Sequence, residues 1–259
     1  MRPPFESSQR EDADFLVSQI DLARGSGKPL QRIGLDRACK RLFDIVVTGG
    51  LLALLSPVLA TLAVVVRIDS PGPAFYRCDR VGFRGRRLRM LKFRKMRADA
   101  TGGPLTTAED ARFTRIGQFL AKYKLDELPQ LWHVLIGEMS IVGPRPEDPK
   151  FVERKPVEFR EEILSVRPGI IGLSQLAFAE ESQILDARDP VGHYVERVFP
   201  QKVALDRMYA ATRSMILDLR ILFWAFVAVL FRQPVAVDRA TGAMRIRRRP
   251  RTDGTHPQS

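Results

Sequence analysis

Two adjacent carboxylates, Asp126 and Glu127, lie just ahead of Pro129 in the stretch KLDELPQLWHVLIGEMSIVGPRP (Lys124–Pro146). Proline is tolerated only in the first turn of a helix, so a helix is expected to start near Asp126. The pair then sits at the positive end of the helix dipole, where carboxylates stay ionised. Such a pair can divide into a nucleophile and a ligand for a hard cation. The plainer alternative is that the two acids only cap the helix. Leu125, Leu128, Leu131, Trp132 and Leu135 recur at helical intervals and predict its apolar face.

Carboxylates that attack or bind phosphate groups need cations near them, and two segments offer such groups. Pro144–Arg145–Pro146 is stiff and extended, which presents Arg145 at low entropic cost to a phosphate or carboxylate. In Lys92–Phe93–Arg94 the alternation of an extended chain places Lys92 and Arg94 on one side, as a phosphate clamp or as two solvated charges. The surrounding residues 74–97 alternate arginines with Phe75, Tyr76, Val81, Phe83, Leu88 and Met90, with Gly82 and Gly85 at a turn, and predict a small β-hairpin.

These groups must be positioned against a long apolar segment. From Phe43 to Val66 the only charge is Asp44, and Ser56–Pro57 sits in the middle. A helix of this length is about 36 Å long, enough for a hydrocarbon core of about 30 Å. Pro57 removes the amide that would bond the Ala53 carbonyl, and the Ser56 hydroxyl can satisfy groups so freed. Arg37, Lys40 and Arg41 precede the segment, and Arg67, Arg77, Arg80 and Arg84 follow it. Basic flanks mark the cytoplasmic side, and here both flanks are basic. A helix that enters, breaks at Ser56–Pro57 and returns satisfies both; a kinked span is the alternative. Ile221–Phe231 is too short to span and is either an interfacial helix or a core helix.

The net charge of +12, from 42 Lys+Arg against 30 Asp+Glu, calls for an anionic partner. Many of the basic residues flank the apolar segment, which argues for lipid or phosphorylated substrates and against a nucleic-acid groove. Two cysteines, Cys39 and Cys78, without CxxC spacing give neither a zinc site nor a disulfide framework. No signal peptide is expected at the N-terminus. The organisation expected is a mobile arm over 1–35, the membrane helix over 36–70, a cytoplasmic-face catalytic domain over 71–237 and a basic disordered tail over 238–259.

Taken in order, Lys40–Arg41–Leu42–Phe43–Asp44, Ser56–Pro57, Lys92–Phe93–Arg94, LDELPQLWHVLIGEMSIVGPRP, RPGIIGLSQ (Arg167–Gln175) and the segments within Leu205–Leu222 resemble the bacterial sugar transferases, the monotopic phosphoglycosyl transferases that act on polyprenyl phosphate. The resemblance covers roughly residues 36–231. It implies an α+β, mainly helical monotopic membrane protein with one re-entrant helix broken at Ser56–Pro57, interfacial amphipathic helices and a small β-hairpin. With no further hydrophobic segment before Arg37, the chain looks like the small form of that family. The implied reaction moves sugar-1-phosphate from a UDP-sugar to polyprenyl (undecaprenyl) phosphate at the cytoplasmic face of the bacterial inner membrane, with release of UMP. By the same resemblance Asp126 is the nucleophile, Glu127 holds Mg²⁺, and Lys92, Arg94, Lys122, Pro144, Arg145 and Pro146 contact substrate. Membrane lipid and downstream glycosyltransferases are the further partners implied. Two departures are visible. The family commonly carries Arg–Lys where this chain has Ala121–Lys122, so Lys122 or Lys124 is the expected substitute, and Ile171 stands where threonine is usual. The competing class is an inactive membrane-anchored scaffold in which Asp126–Glu127 is only a cap.

Overall fold

The computed structural model describes residues 30–97, 99–101, 110–179, 189–231, 233–238 and 241–247. One helix dominates, α1 (Leu30–Asp69), and it continues through Ser56–Pro57. The Ser56 hydroxyl donates to the Ala53 carbonyl at 2.9 Å, the acceptor that Pro57 leaves without its amide. Thr61 Oγ1 likewise donates to the Pro57 carbonyl at 2.8 Å. Asp36–Asp69 is long and apolar enough to cross a membrane, and only 6% of its apolar window is buried. Leu42, Val46, Leu54, Val64 and Ile68 all lie exposed. A helix apolar on every side and left uncovered is unlike the core helix of a water-soluble domain. The first helical residues, from Leu30, fall inside the segment expected to be a mobile arm; the rest of that arm lies outside the described residues.

Both ends of α1 are held by one domain. Strands β1 (Phe75–Val81) and β2 (Arg87–Phe93) form the expected antiparallel hairpin, with Phe75 opposite Phe93 and Val81 opposite Arg87. Helix α2 (Arg115–Lys122) begins at the cap Thr114, whose hydroxyl accepts from Gly117 N. A 3₁₀ turn (Leu125–Gln130) then leads into α3 (Leu131–Ile136). Around Val66, Phe93 and Leu120, the residues Leu59, Leu62 and Ala63 of α1 pack on β2 and α2. At the other end Phe43 and Val47 pack on the main core.

Polar contacts fasten these ends. Arg41 donates to the carbonyls of Val134 (2.6 Å) and Leu135 (2.8 Å), capping the negative end of α3. Gly137, at φ 89°, ends that helix in the left-handed conformation. Asp44, 2% exposed, accepts from Ser140 Oγ (2.8 Å) and Ile141 N (3.2 Å). Lys40 reaches Asp218 at 2.5 Å. At the far end Arg94 donates to the carbonyls of Ser70 (2.7 Å) and Pro71 (2.5 Å), and Asp69 accepts from Ile116 N at 3.2 Å. Three of the basic residues expected only as charged flanks or ligand contacts, Lys40, Arg41 and Arg94, thus anchor the helix to the domain.

The remainder supports this base. Strand β3 (Ser140–Val142) pairs in parallel with β4 (Gly169–Ile171). Between them lie α4 (Pro149–Val152) and α5 (Val157–Leu164). After β4 come α6 (Leu173–Ala177), α7 (Pro190–His193), a π turn (Tyr194–Val198), α8 (Phe199–Thr212) and α9 (Met215–Leu230). Helix α9 is a core helix along one face: Ile221 and Ala225 enter the core, whereas Ile216, Phe223, Phe226 and Val229 are exposed. The fold is mainly helical with small sheets.

The C-terminal expectation needs correction. Residues 241–247 are not a structureless tail: β5 (Val235–Val237) pairs with β6 (Met244–Ile246), and Val235 and Met244 are core residues. Asp238 Oδ1 accepts from Thr241 N and Oγ1, and Gly242 takes φ 67°, so the turn closes locally. Residues 248–259 lie outside the described residues.

Asp44→Ala is expected to strand the Ser140 and Ile141 donors at a cost of about 2 kcal/mol. In a chain of this size that lowers the denaturation temperature of the detergent-solubilised protein by about 5 °C. An unchanged melting curve contradicts the anchoring role.

Candidate active site

The acidic pair is carried by the 3₁₀ turn Leu125–Gln130, not by the first turn of an α-helix. Lys124 precedes it in the left-handed conformation, φ 58°, which breaks the run from α2 and swings the next residues inward. Pro129 lies within the turn, and α3 follows directly. No side chain caps this turn. Both acids instead face cations, so the plain cap fails to account for them.

Glu127 is the centre of the cluster. Lys92 Nζ donates to its Oε1 at 2.9 Å, Arg145 Nη1 donates to its Oε2 at 3.2 Å, and Arg145 Nη2 also donates to Oε1. Burial is the largest influence on its carboxyl and would raise the pKa. Arg145 and Lys92 together outweigh it and hold Glu127 well below the ordinary carboxylate range. Burial depresses Lys92, with the attraction of Glu127 opposing. Asp126 is more enclosed, its side chain 2% exposed, and Lys95 Nζ lies 3.0 Å from its Oδ2.

Each cation is delivered by a separate element. Lys92 belongs to β2, whose Leu91 N–H donates to His133 Nε2 at 3.0 Å, tying the hairpin to α3. The other ring nitrogen, Nδ1, lies 2.6 Å from Glu138 Oε2, so that nitrogen carries the proton. Arg145 stands on the extended segment after β3. There Gly143 N donates to the Ile171 carbonyl (2.9 Å) and Gly169 N to the Pro144 carbonyl (2.8 Å). The two backbones approach so closely that a Cβ on Gly169 would lie 2.1 Å from Gly143 N. Pro144 and Pro146 are buried and frame Arg145.

Beneath this segment lies a second ionic group. Lys155 pairs with Glu147 at 2.9 Å, and the Tyr194 hydroxyl, 3.5 Å from Glu147, accepts from Lys202 at 3.3 Å. Ser174 Oγ donates to Asp206 at 2.6 Å. Burial, strengthened by Glu147 and opposed by Lys155, raises Asp206 to about 6.

The structure thus gathers Asp126, Glu127, Lys92 and Arg145. It does not bring Arg94 or Lys122 to them. Strand alternation ends with the Phe75–Phe93 pair, and Arg94 turns to the carbonyls at the end of α1. Lys122 is exposed, its ammonium 5.6 Å from the centre of the Tyr123 ring. Lys124 is exposed too. Trp132, expected on the buried helix face, is 52% exposed, while Leu131 and Val134 fill the core. The cation missed in the sequence is Lys95; the cluster Lys92–Arg94–Lys95 signals basic character but not which residue turns inward.

Among the described residues, no group of three or more His, Cys, Asp or Glu side chains is assembled for a metal. A divalent cation here has Asp126 and Glu127 at hand. One or two carboxylates, completed by substrate phosphates and water, is the usual donor set for Mg²⁺ on phosphate substrates.

Comparison with known proteins bears on this geometry. The model of the family described as bacterial sugar transferase matches residues 35–232. A Bacillus subtilis (strain 168) protein named as an undecaprenyl-phosphate N-acetylgalactosaminyl 1-phosphate transferase is 38% identical over 151 residues, 58% of this chain and 82% of that protein. An Escherichia coli (strain K12) UDP-glucose:undecaprenyl-phosphate glucose-1-phosphate transferase is 42% identical over 147 residues, 55% of this chain but 32% of that protein. A Rhizobium leguminosarum bv. phaseoli exopolysaccharide production protein is 37% identical over 151 residues, 55% of this chain and 75% of that protein. The chain therefore spans most of two of these relatives and about a third of the other.

The depressed pKa of Glu127 fixes a sign. An acid whose folded pKa lies below its unfolded value, about 4.3, stabilises the fold at pH above that value, and the contribution fades as pH falls through the folded pKa. Glu127→Gln should therefore be less stable than wild type by a margin that is constant between pH 5 and neutrality and shrinks only in stronger acid. Denaturant titrations at stepped pH, followed by tryptophan fluorescence, measure that margin; a gap that widens on acidification contradicts the assignment.

Proposed function

The chain belongs to the bacterial sugar transferase family, and from that premise we propose that it transfers sugar-1-phosphate from a UDP-sugar to polyprenyl (undecaprenyl) phosphate. The observation that carries this reading is the enclosed Asp126–Glu127 pair ringed by Lys92, Lys95 and Arg145. The pair sits in a domain that grips both ends of an exposed apolar helix. The named activities of the relatives, glucose-1-phosphate or N-acetylgalactosaminyl 1-phosphate transfer to undecaprenyl phosphate, agree with it. The product class is the first lipid-linked unit of an exopolysaccharide, capsule, O-antigen or glycoprotein glycan.

In the proposed reaction an Asp126 carboxylate oxygen attacks the sugar-bearing phosphorus. The bond from that phosphorus to the bridging oxygen breaks, and its electron pair leaves on UMP. An oxygen of polyprenyl phosphate then attacks the same phosphorus, and Asp126 departs as a carboxylate. An anionic nucleophile meeting an anionic diphosphate needs positive charge around it. Lys92 and Arg145 hold that charge over Glu127, and Arg145, framed by prolines, faces the nucleotide side. Mg²⁺ held by Glu127 would add charge neutralisation on the diphosphate and leaving group. To hold it Glu127 would give up one of its present cation contacts, since both of its oxygens accept from Lys92 or Arg145.

The proposed setting is the cytoplasmic face of the bacterial inner membrane, with α1 entering the bilayer and returning at Ser56–Pro57. In support, the docked stretches of α1 flank an exposed middle that contains Pro57, and both flanks are basic.

Two experiments test the reading. Asp126→Asn should abolish UMP release and remove the label that a phosphate-labelled UDP-sugar leaves on the Asp126 peptide when acceptor is withheld. Undiminished turnover ends the nucleophile assignment. For topology, exposed Cys39 and a cysteine placed at Arg77 should both react with a membrane-impermeant maleimide only after spheroplasts are opened. Reaction of Cys39 in intact spheroplasts, with Arg77→Cys protected, replaces re-entry with a kinked span.

A further inference from the structure

Three lysines, Lys95, Lys122 and Lys124, could pair with Asp126, and the structure separates them. Lys122 lies over Tyr123 and Lys124 is exposed at the left-handed turn. Lys95 alone among them is ion-paired to Asp126, at 3.0 Å from Oδ2. That oxygen is fully enclosed and makes no hydrogen bond of good geometry. Lys95 is therefore its charge partner in a site where an unpaired carboxylate would be costly.

The backbone that carries Lys95 is rigid. Its carbonyl accepts from Thr114 N at 3.1 Å, and a Cβ on Gly117 would lie 1.8 Å from the same oxygen. The start of α2 thus rests directly on Lys95, and only glycine permits that approach. The next residue, Met96, bridges to Phe113. The Lys95 ammonium stands 5.8 Å from the centre of the Phe113 ring, which supports the cation from the side. Lys95 is also more exposed than the carboxylate it faces, 28% against 2%, so the lysine side chain meets solvent while Asp126 is enclosed.

We propose that Lys95 is the positioning residue of the nucleophile: it holds Asp126 by Oδ2, leaves Oδ1 to attack phosphorus, and takes back the carboxylate when the acceptor displaces it. This rests on the transferase reading above. In the first half-reaction the bond from Oδ1 to phosphorus forms as the bond to the UMP oxygen breaks. Asp126 then carries no negative charge, and Lys95 is released to the phosphoryl oxygens of the adduct. In the second, the acceptor oxygen binds phosphorus, the Asp126–phosphorus bond breaks with its electron pair on Asp126, and Lys95 neutralises that departing charge. A cation used in this way changes rates in both halves and leaves donor affinity nearly alone, because Lys92 and Arg145 hold the charge nearer Glu127.

The test uses the full chain in detergent, with a UDP-sugar labelled at its sugar-bearing phosphate. The sugar is the one that wild type turns over among UDP-glucose, UDP-galactose and their N-acetyl forms. Rapid quenching without acceptor gives the rate of adduct formation, and a chase with polyprenyl phosphate gives the rate of discharge. Lys95→Met should slow both steps by about 10–100-fold, the order of loss expected when an enclosed carboxylate is deprived of its charge partner, with donor KM within about threefold of wild type. Lys95→Arg should recover a large part of both rates, which a merely misfolded variant would not. Wild-type rates in Lys95→Met overturn the proposal and leave the transferase reading intact. So does a raised donor KM with kcat unchanged, which would make Lys95 a donor-binding group. An equal loss in Lys122→Ala returns the role to Lys122. Turnover by wild type with no adduct at all overturns the nucleophile reading and this proposal together.

Discussion

A carboxylate shut away from water must be paired, and Glu127 is where that requirement organises the protein. Its two oxygens take a lysine from the hairpin and an arginine from the segment after β3. Those pieces come from opposite sides of the acidic pair in the chain. Removing either cation would leave the other facing a half-compensated buried charge, a change that commonly costs about 3–5 kcal/mol. The hairpin, the 3₁₀ turn and the Pro-Arg-Pro segment therefore hold one mutual arrangement because one charge group requires it.

The same economy applies to the apolar helix. A helix with lipid-like surface on all sides has no packing preference that would set its position on a domain. Directional contacts at its ends supply one. Arg41 on the α3 carbonyls and Asp44 on Ser140 and Ile141 fix the first end; Arg94 on the Ser70 and Pro71 carbonyls fixes the second. Because α3 continues the turn that bears Asp126 and Glu127, the Arg41 contact ties the position of the acids to that of the helix. The position of the apolar helix and the geometry of the acidic pair are set by shared residues.

What was legible in the sequence follows from how each signal arises. The hairpin was visible because arginines and apolar residues alternate on either side of Gly82 and Gly85. The apolar run was visible by length, and the repair of Pro57 by Ser56 followed from backbone chemistry alone. The gathering of Asp126, Glu127, Lys92 and Arg145 was legible only through the family resemblance, since residues far apart in sequence meet through tertiary packing. Arg94 and Lys95 show the limit. Neighbouring cations look equivalent in a string, and only the end of the strand decides that one turns to backbone carbonyls and the other to Asp126. The β5–β6 hairpin was hidden because arginine-rich composition masked the pairing of Val235 and Val237 with Ile246 and Met244. The β3–β4 pair, with strands of three residues each, is too short for periodicity to reveal.

Beneath the Arg145 segment, the buried group of Glu147, Lys155, Tyr194, Lys202, Ser174 and Asp206 extends the argument about charge. Glu147 directly follows Pro146, so its contact with Lys155 holds the end of the segment from below, while the Gly143–Gly169 approach holds its beginning. Arg145 projects between two fixed points. An arginine on a flexible loop would lose conformational entropy each time it met an anion; held at both ends, it has already lost that freedom in the folded chain. Burying two lysines and two acids is unfavourable unless each finds a partner, and that network fixes the segment more strictly than apolar packing would, because ion pairs demand direction and distance as well as contact. The stiffness that the two prolines give Arg145 locally is thus completed by charge pairing beneath it, and the fork that meets Glu127 is aligned before any substrate arrives.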